Sequence, residues 1–154
     1  MKNDYISEIY EKDKLVLHPY ENFNDRGTYN RKLITKSDNI YLYDENGNKF
    51  IDGPGGMWCN NIGHGNREIG EAVKNQIEKM DYCSPFSEST EISAELASVL
   101  ADLSPGDLNT IFFTSDGSTA NETALRFVMF YNNILGKPNK KHIITRDKAY
   151  HGST

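Results

Sequence analysis

The sequence predicts an α/β fold in which a small antiparallel unit precedes the start of a larger, mostly parallel sheet domain. Two short apolar segments, 40–43 and 49–51, enclose a turn sequence, and two amphipathic helical repeats follow. An apolar run at 110–114 then leads through a turn into a long helix and on to a further apolar run. We place the small unit in residues 1–65 and the beginning of the larger domain in residues 66–154.

After a polar N-terminal segment, the first predicted element is a β-hairpin. Residues 40–43 and 49–51 are its strands, and Asn46-Gly47 lies in the connection between them. Asn and Gly both tolerate the positive φ angles of tight hairpin turns, so the two strands are expected to pair in antiparallel fashion.

Two helices are predicted next from apolar residues that recur every three to four positions. The first follows His64-Gly65-Asn66 and carries Ile69, Val73, Ile77 and Met80. The second carries Ile92, Leu96, Val99, Leu100 and Leu103 and ends at Ser104-Pro-Gly-Asp107. Each helix is therefore expected to have one apolar face.

The last predicted unit is strand, helix, strand. Residues 110–114 and 142–145 are apolar and β-branched, and helical spacing runs from Ala120 to about Leu135 between them. This order predicts a parallel pair of strands. Parallel sheets normally have helices on both faces, so one helix and two strands make an incomplete domain, and further strands are expected outside this chain.

The turn at Gly117-Ser118 is a candidate anion site because it precedes a helix, where backbone N–H groups have no partner within the helix. Gly117 permits close approach of a ligand, and the hydroxyl groups of Ser118 and Thr119 can donate to a phosphate. A plain strand-to-helix connection with an N-cap would have a similar sequence, so both interpretations stay open at this point.

Composition narrows the function classes. Hydrophobic residues make up 37% and charged residues 25%, and no apolar run has the length of a signal peptide core or a membrane span, so we expect a cytoplasmic chain with no membrane contact. Scattered charges with a net value of -5 argue against a nucleic acid partner. The 2 cysteines and 4 histidines lack metal-ligand spacing, which predicts reduced thiols and no metal site.

Four segments in a fixed order carry a family resemblance: 41–53, 57–65, Gly117-Ser118 and 149–152. Together they resemble the N-terminal part of class III, or omega-type, aminotransferases, which are fold-type I transferases dependent on pyridoxal 5'-phosphate. The resemblance runs from about residue 18 to the last residue. It implies transfer of an amino group from a primary amine or omega-amino acid to a keto acid such as pyruvate, by a homodimer in the full-length form.

The resemblance also implies cofactor-binding residues. Gly117 and Ser118 correspond to the cup for the cofactor phosphate, and Tyr150 to the aromatic side chain that stacks on the pyridine ring. Tyr150 follows the second predicted strand, so it should emerge at the same carboxyl edge of the sheet as the turn. A surface or partner-facing aromatic is the alternative for Tyr150. His151 is assigned no acid–base step.

For the substrate pocket, the resemblance implies Trp58, with Tyr20 and Phe86 as further walls. Glycines and polar residues on both sides of Trp58 predict a loop rather than a core strand, and loops commonly carry sites. Asp52 and Gly53 are expected to stabilise that loop, and His64-Gly65 is expected to form a turn that precedes the following helix.

Two departures from the family pattern bear on activity. Asp116 stands beside the proposed phosphate cup where members commonly have a neutral residue; it can cap the helix or turn outward and leave the N–H groups to a phosphate. The Schiff-base lysine of the family lies beyond this chain, so no catalytic residue is assigned and the isolated chain is predicted to be inactive. A noncatalytic anion-binding module, or an interaction fragment that needs a second polypeptide, remains the alternative.

Overall fold

A computed structural model of the chain describes residues 2–25, 27 and 31–153. These residues form two compact units, Met1–Tyr82 and Cys83–Thr154. Within the described ranges, no helix combines the length and the apolar character needed to cross a membrane.

The first unit begins with helix α1, Lys2–Asp13, which was not predicted from the sequence. Its surface is polar, with ion pairs of 2.6 Å from Lys12 to Glu8 and from Lys14 to Glu11. The Tyr10 hydroxyl donates to Glu45 at 2.9 Å and connects the helix to the hairpin. A mostly polar segment gives little periodic signal, which explains why it was missed.

A three-stranded antiparallel sheet follows, consisting of β1 (Ile34–Asp38), β2 (Tyr41–Asp44) and β3 (Lys49–Ile51) in the order β1-β2-β3. The predicted β2–β3 hairpin is confirmed. Strand β1 was not predicted; its polar sequence lacks the alternation of a half-buried strand, and its five residues are all exposed.

Asp44 organises the hairpin turn. Its buried carboxylate accepts hydrogen bonds from the backbone N–H groups of Asn46 at 3.0 Å and Asn48 at 2.8 Å, and from the Asn48 amide at 2.8 Å. Burial alone would raise the pKa of Asp44, but the bonds from Asn48 and Asn46 outweigh burial and lower that pKa. Gly47 completes the turn with a φ of 84°, a conformation that glycine adopts without steric cost.

The two predicted amphipathic helices are confirmed as α2 (Arg67–Lys79) and α3 (Glu91–Leu103). Each begins at a capping side chain: Asn66 accepts from the Ile69 N–H at 3.1 Å, and Thr90 accepts from the Ser93 N–H at 3.3 Å. The first N–H groups of a helix have no carbonyl acceptor within the helix, and a capping side chain supplies one. These residues therefore fix where each helix starts.

Helix α4, Gly117–Ile134, confirms the long helix predicted in the second unit. The parallel strand pair predicted on either side of it is wrong for this chain, because residues 110–114 and 142–145 join no β-ladder among the described residues. An apolar, β-branched sequence favours a strand, but a segment forms one only when a neighbouring strand supplies the hydrogen bonds. In the first of these segments, Phe112 contacts Phe127 of α4 edge to face at a centroid distance of 5.7 Å.

Hydrophobic side chains remain partly or largely exposed throughout the described part of the chain. No hydrophobic side chain there is buried; the buried residues are the polar Asp44 and Asn132. The apolar faces of the helices are open, with Val73 of α2 53% exposed and Leu96 of α3 48% exposed. Cys59 and Cys83 are free thiols.

Candidate functional site

The α4 N-terminus is organised by Asp116. Its carboxylate accepts from the Thr119 N–H at 2.9 Å and from the Thr119 hydroxyl at 2.6 Å, and the Ser115 hydroxyl donates to it at 3.0 Å. These bonds, led by that of the Thr119 side chain, lower the pKa of Asp116 to about 2. The carboxylate is therefore charged at neutral pH and points onto the helix start rather than outward.

The segment after residue 149 folds back over this helix start. Gly152 has a φ of 122°, and a Cβ atom at this position would lie 2.7 Å from the Ser118 Cβ and 2.8 Å from the Ser118 Cα. Such distances are below any normal contact, so the approach requires glycine. A hydrogen bond of 2.8 Å from the Asn121 amide to the His151 carbonyl oxygen holds the segment on the helix.

Tyr150 is thereby brought to the Gly117-Ser118 turn. Hydrogen bonding to the side chains of Ser118 and Ser153 lowers the pKa of the Tyr150 phenol, with burial and the Asp116 charge opposing that shift. The side chain is 77% exposed, so most of its surface is open to a ligand. The structure thus places three sequence-predicted residues, Gly117, Ser118 and Tyr150, in one cluster.

His151 has a structural contact in this cluster. Its Nε2 forms a short hydrogen bond with the Thr145 hydroxyl, while its carbonyl oxygen accepts from Asn121. Both contacts fix the course of the backbone between residue 145 and Gly152.

The loop around Trp58 is held by a polar bridge. His64 Nε2 lies 2.8 Å from Asp52 Oδ2, and its Nδ1 lies 2.6 Å from the Asn60 amide nitrogen. Because an amide nitrogen can only donate, the neutral His64 ring carries its proton on Nε2 and donates it to Asp52. This bond leads the causes that lower the pKa of Asp52. Asp52 thus stabilises the loop, as expected, and does so through a bond to His64, for which only a turn before the helix was predicted.

A left-handed turn, Gly55–Trp58, presents the pocket candidate. Its four φ angles lie between 54° and 67°, and the Trp58 N–H donates to the Pro54 carbonyl at 2.8 Å. Left-handed helical geometry costs roughly 1–2 kcal/mol for each residue with a Cβ, here Met57 and Trp58. The turn presents the Trp58 side chain to solvent at 78% exposure.

The side chains of the other two pocket candidates, Tyr20 and Phe86, are almost fully exposed to solvent. Tyr20 has a φ of 61° and is 100% exposed, and Phe86 is 99% exposed. Among the described residues of the first unit, no ring contact joins Tyr20 to Trp58. Across the described part of the chain, no three His, Cys, Asp or Glu side chains gather as a metal site.

Sequence reasoning missed Gly152 and Asn121 as parts of the site. Gly152 follows Tyr150-His151, and a glycine two residues after a proposed ligand-contacting aromatic signals close backbone approach. Asn121 lies one turn into α4, where an amide can reach beyond the helix. Its sequence position alone gives no indication that its partner lies 30 residues further on.

The family model of class III aminotransferases matches residues 24–154. The chain belongs to the class III aminotransferases. The putrescine–pyruvate aminotransferase of Pseudomonas aeruginosa is 38% identical over 136 residues, which are 88% of this chain and 29% of that protein. Solved structures agree, as shown by a transaminase of the marine bacterium Virgibacillus with a TM-score of 0.89 and 38% identity, covering 96% of this chain and 34% of that one.

The omega-transaminase of Pseudomonas jessenii, solved in complex with PMP, is similar with a TM-score of 0.88 and 36% identity, covering 94% of this chain and 32% of that one. The chain therefore spans about a third of the length of the class III proteins it matches. It has the fold of the N-terminal portion of these transferases, as predicted, and class III aminotransferases depend on pyridoxal 5'-phosphate.

Proposed function

We propose that the full-length protein carrying this class III chain transfers an amino group from a primary amine or omega-amino acid to a keto acid such as pyruvate, with pyridoxal 5'-phosphate as cofactor. The relative from Pseudomonas aeruginosa is named for putrescine and pyruvate, which supports this pair of substrate classes. The observation that carries the proposal is the convergence of Ser118, Tyr150 and Gly152 at the N-terminus of α4.

The residues at this helix start fit the cofactor. A Cβ atom at Gly117 would meet no atom within 4 Å, so the space beside the first helical residue is open. N–H groups at a helix N-terminus and the Ser118 and Thr119 hydroxyls are suitable donors for a phosphate. Tyr150, on the segment held by Gly152, offers an aromatic face within the same cluster.

Each of these residues has a distinct task in the proposed reaction. The bound cofactor supplies an electron sink for the amino-group chemistry. Gly117 and Ser118 hold its phosphate, Tyr150 fixes the plane of its ring by stacking, and Gly152 keeps Tyr150 at the phosphate turn. These residues bind and orient, and no proton transfer is assigned to them. The isolated chain is accordingly proposed to be inactive.

We assign the substrate pocket to Trp58, Tyr20 and Phe86. All three side chains are open to solvent, and Trp58 is displayed by a strained turn of the kind that often accompanies function. A thermostable omega-transaminase that is 34% identical to this chain was engineered for synthesis of enantiopure bulky amines by substitutions that include a tryptophan and a phenylalanine. This supports aromatic pocket walls of the same kinds here.

The partners and location follow from the same proposal. Full-length class III proteins of this kind are proposed to be cytoplasmic homodimers with neither nucleic acid nor membrane partners, in accord with the acidic composition. We also keep residues 1–65 as the small unit and residues 66–154 as the start of the cofactor domain. The compact units of the structure divide later in the chain, between Tyr82 and Cys83, so this boundary stays a proposal based on the family resemblance.

The proposed function is tested by comparing the isolated chain with the full-length protein. Each is incubated with pyridoxal phosphate and reduced with borohydride, the labelled lysines are mapped by mass spectrometry, and amine-to-pyruvate turnover is measured. We expect labelling of one lysine and turnover only in the full-length protein. Stoichiometric labelling and turnover by the 154 residues alone would refute the inactivity of the chain, and absence of both from the full-length protein would refute the function.

A further inference from the structure

The α4 N-terminus carries a fixed negative charge at the position proposed for the cofactor phosphate. Asp116 takes the Thr119 N–H at 2.9 Å and the Thr119 hydroxyl at 2.6 Å. Both are donors that a phosphate at this helix start would use. A donor that already bonds one oxygen is not available to another at full strength, so the carboxylate and a phosphate compete for the Thr119 donors.

No described Lys or Arg forms an ion pair with Asp116. The carboxylate is instead held by hydroxyl and N–H donors, with the Ser115 hydroxyl at 3.0 Å as a third contact. A dianionic phosphate ester at this helix start would therefore meet a like charge that no described cation of this chain pairs with. Two anions at the same helix N-terminus repel each other, and the repulsion is absent for a ligand that lacks phosphate.

We propose that Asp116 is an internal competitor for the cofactor phosphate: its carboxylate occupies the α4 N-terminus until a phosphate displaces it, and it thereby sets the affinity for phosphorylated ligands. This inference rests on the proposed function and adds an affinity-determining residue to it. The binding residues Ser118 and Tyr150 keep their assigned contacts, and Asp116 must rotate away from Thr119 when phosphate binds.

Asp116→Asn separates charge from capping, because asparagine is as good an N-cap as aspartate and the helix start is preserved. Asp107→Asn is the matched control, since it removes the same charge from an exposed residue of the same unit. Equilibrium dialysis of the full-length protein and both variants measures binding of pyridoxal phosphate, pyridoxal and inorganic phosphate. Asp116→Asn should increase the affinity for pyridoxal phosphate and for inorganic phosphate by about fivefold or more, and it should leave the affinity for pyridoxal unchanged.

The outcomes separate the two proposals. Equal pyridoxal phosphate affinity of Asp116→Asn and the parent would overturn the proposal that the charged Asp116 carboxylate sets the affinity, and would leave the proposed function standing. Tighter inorganic phosphate in Asp116→Asn, with no pyridoxal phosphate binding to any protein, would support the competition and refute the function. An equal rise in phosphate affinity in Asp107→Asn would attribute the effect to net charge rather than to Asp116. If neither the parent nor the variants bind pyridoxal phosphate or inorganic phosphate, both the competitor role and the proposed function are overturned.

Discussion

Gly152 provides the sharpest test of how the site is assembled. In Gly152→Ala, the new Cβ would lie 2.8 Å from the Ser118 Cα, a backbone atom that cannot rotate away. The φ of 122° adds a second cost, since residues with a Cβ rarely adopt it. Strained backbone of this kind costs roughly 1–3 kcal/mol and overpacking a further 1–3 kcal/mol, so about 2–6 kcal/mol opposes the present position of the segment.

The variant should release that strain by moving residues 150–152 off the helix, which displaces Tyr150 from the phosphate turn. We expect pyridoxal phosphate affinity of the full-length protein to fall by about thirtyfold, the lower end of this range. Gly70→Ala is the matched control: Gly70 lies in α2 with open space around its Cβ position, and this change should raise helix stability by about 0.5–1 kcal/mol. Dialysis and urea unfolding are the measurements. Parent-like affinity of Gly152→Ala would show that the segment does not rest on Ser118.

Three further predictions concern the site, the hairpin and the open surfaces. In the full-length protein, Tyr150→Ala should weaken the binding of pyridoxal and of pyridoxal phosphate alike, because stacking worth about 0.5–1.5 kcal/mol is lost. Ser118→Ala should weaken the binding of pyridoxal phosphate only. A titration in which both variants affect both ligands equally would contradict these separate roles. The native fold lowers the pKa of Asp44, so its stabilising contribution is present above the ordinary carboxyl pKa and lost as pH falls through the lowered value. The stability advantage of the parent over Asp44→Asn in thermal melts should therefore shrink on acidification, with Asp38→Asn as control, and a pH-independent gap would contradict it. The isolated chain, which buries no described hydrophobic side chain, should sediment as an associated species; a strictly monomeric, sharp two-state transition would show that it is a complete domain.

Elements coded by neighbouring residues could be predicted from the sequence. The turn at Asn46-Gly47 and the repeats of α2, α3 and α4 depend on contacts within a few positions, and each matches the structure. Asp116 was recognised as a possible cap for the same reason. Local chemistry was sufficient there because the partner atoms lie within one turn of the chain.

What could not be predicted depends on partners distant in sequence. The 110–114 and 142–145 segments have strand-like composition, but no ladder forms between them, because composition does not specify which neighbour supplies the hydrogen bonds. The close contact between Gly152 and Ser118 likewise joins residues more than thirty positions apart. For the site, the residue types were predictable, whereas the inward position of Asp116 required the geometry of the helix start.

The left-handed backbone at Trp58 makes glycine the least strained residue at this position. At a φ of 67°, any side chain bears a steric cost that glycine lacks, so Trp58→Gly widens the proposed pocket and relaxes its backbone in one step. Glycine normally destabilises relative to alanine by about 0.5–1 kcal/mol; here we expect urea melts to rank Trp58→Gly above Trp58→Ala, and the usual order would contradict a strained turn. If Trp58 lines the substrate pocket as proposed, a single codon change would then enlarge that pocket without adding backbone strain, so evolution of substrate range can begin at this residue.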